Sequence, residues 1–312
     1  MGPSGRGYGV GVSRRNVALF VLLCACFGFA FVAIKTGLRY ADPVFLIAIR
    51  MWGAGAILLA LLLVTRRELA FPRDDVRSVA VLGVLNSGLV GLFLFLGQEH
   101  LSAGLGSILL YTYPLMAAAV GAAFLGERLN LPRVTGLLAG FAGIVLVAGT
   151  AIGGSVVGVV YMLSAAAAWA IATVVFKKRL QGRDMLPVAA WSMLTGAAFL
   201  QITSAVLEGV PHVEATTGFW LSFLYLAGPG MALPGALWYY LLNQGEATVA
   251  SAYLFLTPFF GVLFGWLFLS ERITWIQVAG GVLIAAGIYL VNRTGREPAR
   301  QEQRPRTVSR AA

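Results

Sequence analysis

The chain has 312 residues, of which 59% are apolar and only 12% charged, and its mean hydropathy is +0.82. Soluble domains carry about 25% charged residues, so a water-soluble globule is excluded. The formal charge of +10 does not point to nucleic acid, because the basic residues lie between and beyond the apolar runs, where they set membrane orientation.

The first 15 residues are Gly-rich and basic and read as a tail. Asn16–Leu38 is then too long, and too poor in a small-residue cleavage site, for a cleaved signal peptide, so it reads as a retained span. Nine more apolar runs follow, at Pro43–Val64, Val76–Gly97, Ser102–Leu125, Leu131–Thr150, Val156–Phe176, Leu186–Leu207, Gly218–Leu242, Ala247–Leu269 and Trp275–Asn292. In lipid every backbone polar group must be satisfied within the segment, so each run is expected to be helical. Residues 294–312 are polar, Arg-rich and Pro-containing, the composition of a disordered tail. The two cysteines, Cys24 and Cys26, sit two apart inside the first run, and there are two histidines. That inventory predicts no disulfide, no metal site and no cofactor.

The chain repeats itself. Residues 103–147 align without gaps on 247–291, an offset of 144, with 16 of 45 positions identical. Among the matches are Pro114/Pro258, Gly121/Gly265, Glu127/Glu271, Arg128/Arg272, Gly136/Gly280 and Gly143/Gly287. Residues 16–150 and 151–293 are then two copies of five spans. Five is odd, so the second copy enters the membrane inverted, the plan of many secondary carriers. With the N-terminus in the cytoplasm, 19 of the 23 Lys and Arg fall on the inside, so both termini are expected there. The fold expected is an all-α integral membrane protein of ten helices in two inverted five-helix repeats.

An ordered set of residues carries a family resemblance. In the first half it is Phe27-Gly28 with Lys35, Pro43, Arg50, Ala103-Gly104-Leu105, Pro114, Gly126-Glu127-Arg128-Leu129 and Gly136. In the second it is Trp169-Ala170, Glu246-Ala247, Ala250-Ser251, Pro258, Ser270-Glu271-Arg272 and Gly280. The pattern resembles the drug/metabolite transporter superfamily, specifically its EamA-type ten-helix carriers, with Phe27 where the family usually has Trp. The resemblance implies helices one to four and six to nine around a central cavity, with five and ten peripheral. It also implies an inner-membrane carrier, monomeric or dimeric, that moves amino acids, their derivatives, nucleosides or toxic compounds, usually outward.

Charge inside a span is costly and asks for a reason. Arg50 could grip a substrate carboxylate with two parallel hydrogen bonds, or pair internally, for instance with Glu99. Lys35, near the outer end of helix one, is a second candidate substrate contact, or a charge that reaches water by snorkelling. Glu127 and Glu271 are expected to be structural, accepting N–H groups at the start of the next helix. Helices three and eight are rich in breakers: Gly83, Asn86, Ser87, Gly88 and Gly91 in one, Gly228, Pro229, Gly230, Pro234 and Gly235 in the other. Matching breaks point to a binding site, and a packing kink is the bland alternative. Tyr111 and Tyr113 beside Pro114, Tyr253 before Pro258, and Trp169, Trp238 and Tyr239 are candidate cavity aromatics or members of an interfacial belt. Gln98, Glu99 and His100 end helix three and read as gate residues, Glu99 with His100 as a titrating pair.

Among the expected spans none has Asp or Glu at its middle, which weakens a buried-carboxylate proton relay and leaves exchange or facilitated movement open. An intramembrane enzyme would need clustered acid–base groups in the core, and none is visible. A channel would need rings of polar groups. A lipid or drug flippase, or a nucleoside carrier of the same fold, stands as the alternative to amino-acid export.

Overall fold

The computed structural model describes residues 14–67, 73–125, 131–149, 156–180, 182–237 and 256–293. In chain order the helices are α1 (Arg14–Gly37), α2 (Pro43–Val64), α3 (Arg73–Leu82), α4 (Val90–His100), α5 (Ala103–Leu110), α6 (Tyr113–Leu125), α7 (Leu131–Gly149), α8 (Val156–Arg179), α9 (Met185–Leu207), α10 (Thr217–Ala227), α11 (Leu256–Leu269) and α12 (Trp275–Arg293). A π-helical stretch, Gly83–Leu89, fuses α3 to α4, and a second, Gly228–Ala232, continues α10. Six of the described helices are long and apolar enough to cross a membrane, and four shorter apolar ones accompany them.

The fourth predicted run is two helices. α5 ends at Leu110, Tyr111 is its C-cap, and α6 begins at Tyr113. Pro114 has no N–H to donate, and a proline disfavours helical backbone in the residue before it. The Thr112 hydroxyl turns back on the Leu109 carbonyl at 2.7 Å.

Helix ends are tied together across the molecule. At one end, the Glu208 carboxylate closing α9 accepts Val44 N–H at 2.7 Å and Phe45 N–H at 2.9 Å, capping α2. Beside it, Asp42 accepts the His212 N–H at 2.7 Å and Tyr40 O accepts the Glu214 N–H at 2.7 Å. At the same end, Glu271 accepts Ala103 N–H at 2.6 Å and Gly104 N–H at 3.0 Å. The sequence suggested that this carboxylate serves the next helix. It caps instead α5, 168 residues upstream, while Thr274 and Gln277 cap α12 reciprocally at 3.0 and 3.3 Å. At the opposite end, Arg67 meets Asp184 at 3.3 Å and Arg183 meets Asp75 at 2.8 Å. Consecutive long helices therefore run in alternating directions.

The packing exchanges repeat positions. Gly143 of α7 rests on the Gly280 carbonyl and Ile284 of α12, and Gly287 of α12 rests on the Gly136 carbonyl and Gly140 of α7. Gly136/Gly280 and Gly143/Gly287 are mates at the offset of 144, so this crossing is a local pseudo-two-fold. Gly196 of α9 leaves room only for Ser87 and the Gly83 carbonyl of the first π stretch, and Gly53 of α2 lies against Ala227 beside the second. Small residues at crossings let backbones approach where lipid offers no hydrophobic drive.

Fully buried Phe20, Leu23, Ile34, Leu46, Ile47, Phe95, Leu109 and Met162 belong to the interior. The periphery shows Val64 at 82% exposure, Val145 at 70% and Val206 at 76%. Large exposed apolar area on this scale marks contact with lipid rather than water.

Candidate functional site

Arg50 sits two turns into α2 and is 4% exposed. Its Nη2 donates to Gly230 O at 3.3 Å and lies 3.6 Å from Met231 Sδ, both in the second π stretch. Its Cζ is 5.6 Å from the Phe95 ring centroid in α4, within the range of a cation–π contact. Nε and Nη1 are buried without a hydrogen-bond partner among the described residues. The pairing with Glu99 that the sequence allowed is absent, since Glu99 is exposed at the end of α4. A buried guanidinium with five N–H donors and so few acceptors is an unsatisfied cation. Such a group can take up an anion or a planar acceptor.

Two tyrosines share its electrostatic neighbourhood, Tyr225 of α10 and Tyr111 at the end of α5. Tyr225 Oη donates to Cys26 O at 2.9 Å, and its ring meets Phe29 edge-on at 4.8 Å. Tyr111 meets Trp169 of α8 edge-on at 6.0 Å, and Tyr113 stacks on the same indole at 4.0 Å, 14° from parallel. The break between α5 and α6 thus delivers Tyr111 and Tyr113 to one indole of the other half. Arg50, Tyr111, Tyr113 and Trp169 are brought together by elements of both halves. Sequence reading did not single out Tyr225 or Phe95. The one signal for Tyr225 is its place three residues before the Gly228-Pro229 break.

The other candidates lie elsewhere. Lys35 Nζ donates to the carbonyls of Gln98 at 2.9 Å and Glu99 at 3.0 Å, so it caps the C-terminus of α4. Gln98 is fully buried and donates to Leu101 O at 3.2 Å, while Glu99 and His100 are exposed. Asn86 and Ser87 lie in the first π stretch, where Ser87 is pressed on Gly196 of α9. Pro229 is in the second π stretch and Pro234 follows it. Pro258 opens α11, and its carbonyl lies 3.5 Å from the Ser107 hydroxyl. Trp238, Tyr239 and Tyr253, with Glu127, lie outside the described residues. No group of three or more potential metal ligands occurs among the described residues.

A cavity of about 380 Å³ lies to the side of Arg50, between α5, α11 and α12. It runs from Glu271, Arg272 and Gln277 at one end to Tyr111 at depth.

The model of the EamA-like transporter family matches residues 15–149 and again 156–293. The chain is 28% identical over 268 residues to the uncharacterized transporter YoaV of Bacillus subtilis, covering 84% of this chain and 91% of that one. It is 31% identical over 279 residues to a WAT1-related chloroplastic protein of Arabidopsis thaliana, covering 85% and 66%. A Salmonella typhimurium protein named "Probable amino-acid metabolite efflux pump" is 29% identical over 308 residues, covering 91% and 99%. One solved crystal structure superposes with a TM-score of 0.66 at 19% identity, covering 92% of this chain and all of that one, a likeness of fold. An apolar helical chain matched by one family in both of its halves is a transmembrane transporter, and it belongs to the EamA-like transporter family.

Proposed function

We propose that the protein is a secondary carrier that exports small carboxylate-bearing metabolites, amino acids or their derivatives, across a bacterial inner membrane. It crosses the membrane ten times as two inverted five-helix repeats, residues 16–150 and 151–293, with both termini in the cytoplasm. Six long and four shorter apolar helices, running in alternating directions, support the count. The exchange of Gly136/Gly280 with Gly143/Gly287 at the α7–α12 crossing supports the inversion. The 19 basic residues on one side support the orientation. Outward movement rests on the printed names of the Salmonella typhimurium and Escherichia coli relatives.

One observation carries the substrate class: Arg50 is buried against the π stretch with two of its three nitrogens unpartnered. A carboxylate arriving there forms charge-assisted bonds in a site already stripped of water. Tyr225 and Phe95 flank the cation, and Tyr111, Tyr113 and Trp169 offer apolar rings to the rest of the molecule. Access alternates between the two faces as one repeat rocks on the other.

The test is flux in proteoliposomes. Labelled amino acids are compared with their amides, for the native chain and Arg50→Ala, with and without a pH gradient. Carboxylate-selective flux that Arg50→Ala abolishes upholds the reading. Flux of amides and acids alike, unchanged by the substitution, defeats it. The lateral cavity beside α11 and α12 favours a second reading, a carrier of drugs or lipids. Release of fluorescent lipid without amino-acid flux decides for that one.

A further inference from the structure

The cavity between α5, α11 and α12 is not needed to form the Arg50 site, and its walls say what fills it. Most of the lining is apolar, with Leu105, Ile108, Val262 and Val282 along its length. Its outer rim is open to the membrane: Val282 is 63% and Phe259 60% exposed. At about 380 Å³ it is in the size range of small-molecule sites. Water would fill that volume with about a dozen molecules, but an apolar site gives them too few hydrogen bonds. In a membrane the neighbour that abuts such a groove is an acyl chain.

The polar end of the groove selects the head group. The Glu271 carboxylate is already used by the N–H groups of Ala103 and Gly104. Ser102 is likewise committed to the Leu105 N–H at 3.2 Å. Arg272, at the mouth, is exposed and makes no ion pair among the described residues. Lys35, whose ammonium is held by two carbonyls, adds a second positive charge near Glu271. The mouth therefore sets the exposed Arg272 guanidinium beside a Glu271 carboxylate whose oxygens already face the N–H groups of α5, at the end of an apolar slot.

We propose that this groove is a phospholipid-binding site, with an acyl chain lying between α5, α11 and α12 and the phosphate of an anionic lipid held by Arg272. The assignment of that lipid to the outer leaflet rests on the orientation proposed above. The binding site itself needs only that the helices lie in a bilayer. A bound chain fills the gap that the short α5 leaves and braces Tyr111, which lines both the groove's inner end and the neighbourhood of Arg50.

The groove contains a convenient blocking position. Gly281 of α12 lines it, and a Cβ built there meets no atom within 4 Å. Gly281→Trp therefore starts from an open Cβ position and is used to fill the slot with an indole. The full chain, purified in mild detergent, is incubated with palmitoyl-oleoyl phosphatidylglycerol and examined by native mass spectrometry. The native chain is expected to retain the lipid and Gly281→Trp to retain none above background. Arg272→Gln, at an exposed side chain with no ion pair among the described residues, is expected to weaken retention roughly tenfold, the loss of one charge-assisted bond. It should leave the uncharged-head analogue diacylglycerol unaffected. Arg50→Ala retains the lipid as the native chain does, which separates this site from the transport reading. Equal retention by Gly281→Trp and the native chain overturns the proposal. So does retention that falls with Arg272→Gln equally for phosphatidylglycerol and diacylglycerol.

Discussion

Replacing Arg50 separates a substrate-binding arginine from a structural one, because the two make opposite predictions for stability. Nε and Nη1 have no partner, and Nη2 holds only Gly230 O at 3.3 Å and Met231 Sδ at 3.6 Å. A fully paired buried cation would lose several kcal/mol on removal of its partners. An unpaired one exerts a desolvation cost that disappears with the charge. Replacing buried charge by well-packed apolar groups is neutral or stabilising by about 1–4 kcal/mol. Arg50→Met in the absence of substrate is therefore expected to raise the melting temperature in detergent. With substrate the sign inverts. Each charge-assisted hydrogen bond contributes about 1.5–3 kcal/mol, so two bonds from Arg50 to a carboxylate are worth about 3–6 kcal/mol. At about 1.4 kcal/mol per decade, flux at low substrate should fall at least about 100-fold in Arg50→Met. Arg50→Lys keeps the charge but not the planar fork, and should lie between. The assay pairs thermal unfolding, with and without substrate, with initial flux in proteoliposomes. If Arg50→Met lowers the melting temperature of the substrate-free protein and leaves carboxylate flux intact, the arginine is a structural strut.

The remaining tests address the frame around that site. Glu271→Ala leaves the N–H groups of Ala103 and Gly104 without their acceptor and should cost about 1–3 kcal/mol in thermal or chemical unfolding. Glu271→Gln keeps one amide oxygen as acceptor and should cost less. Glu208→Ala removes the cap from α2 together with the Ser204 hydroxyl bond of 2.7 Å, with a comparable loss; no change in either case would mean that these caps are replaced by water. Gly143→Leu and Gly287→Leu both overpack the α7–α12 crossing, where a Cβ already meets a facing carbonyl. Each should cost about 1–3 kcal/mol, and similar losses at the two sites would reflect their equivalence across the pseudo-two-fold. Trp169→Ala removes the stack with Tyr113 and the edge contact with Tyr111. Those ring pairs are worth about 0.5–1.5 kcal/mol each beyond buried area, so thermal unfolding should show a loss of at least about 1 kcal/mol, and a fall in substrate affinity as well is expected only if the indole also faces substrate.

The parts of this molecule that the sequence made legible are those that follow from repetition. An offset of 144 implies that whatever Gly136 meets, Gly280 meets in mirror role, and the α7–α12 crossing behaves so. Clustered Gly and Pro likewise mark where a helix in lipid can depart from regular bonding, and both π stretches fall in those clusters. Periodicity and composition see only along the chain, however. Nothing near Glu271 announces that its carboxylate caps a helix 168 residues upstream, because its local setting, a turn before a helix, is the setting of any N-cap. The same holds for Arg50. That it is buried could be argued from its place in a span, but its neighbours come from four other elements, the second π stretch, α4, α5 and α10. With 12% aromatic residues in the chain, ring type alone could not raise Phe95 or Tyr225 above the rest. Lys35 shows the converse. Its charge in a span looked like a functional signal, and it is spent on the carbonyls that end α4. What distinguishes the two cations is whether their N–H groups find acceptors, and that is a property of the packed helices: Lys35 is satisfied by the two carbonyls of a helix terminus, whereas Arg50 finds one carbonyl, that of Gly230. A buried donor left over after the fold has closed is where a ligand adds the missing acceptors, which is why the substrate reading rests on Arg50 and not on Lys35.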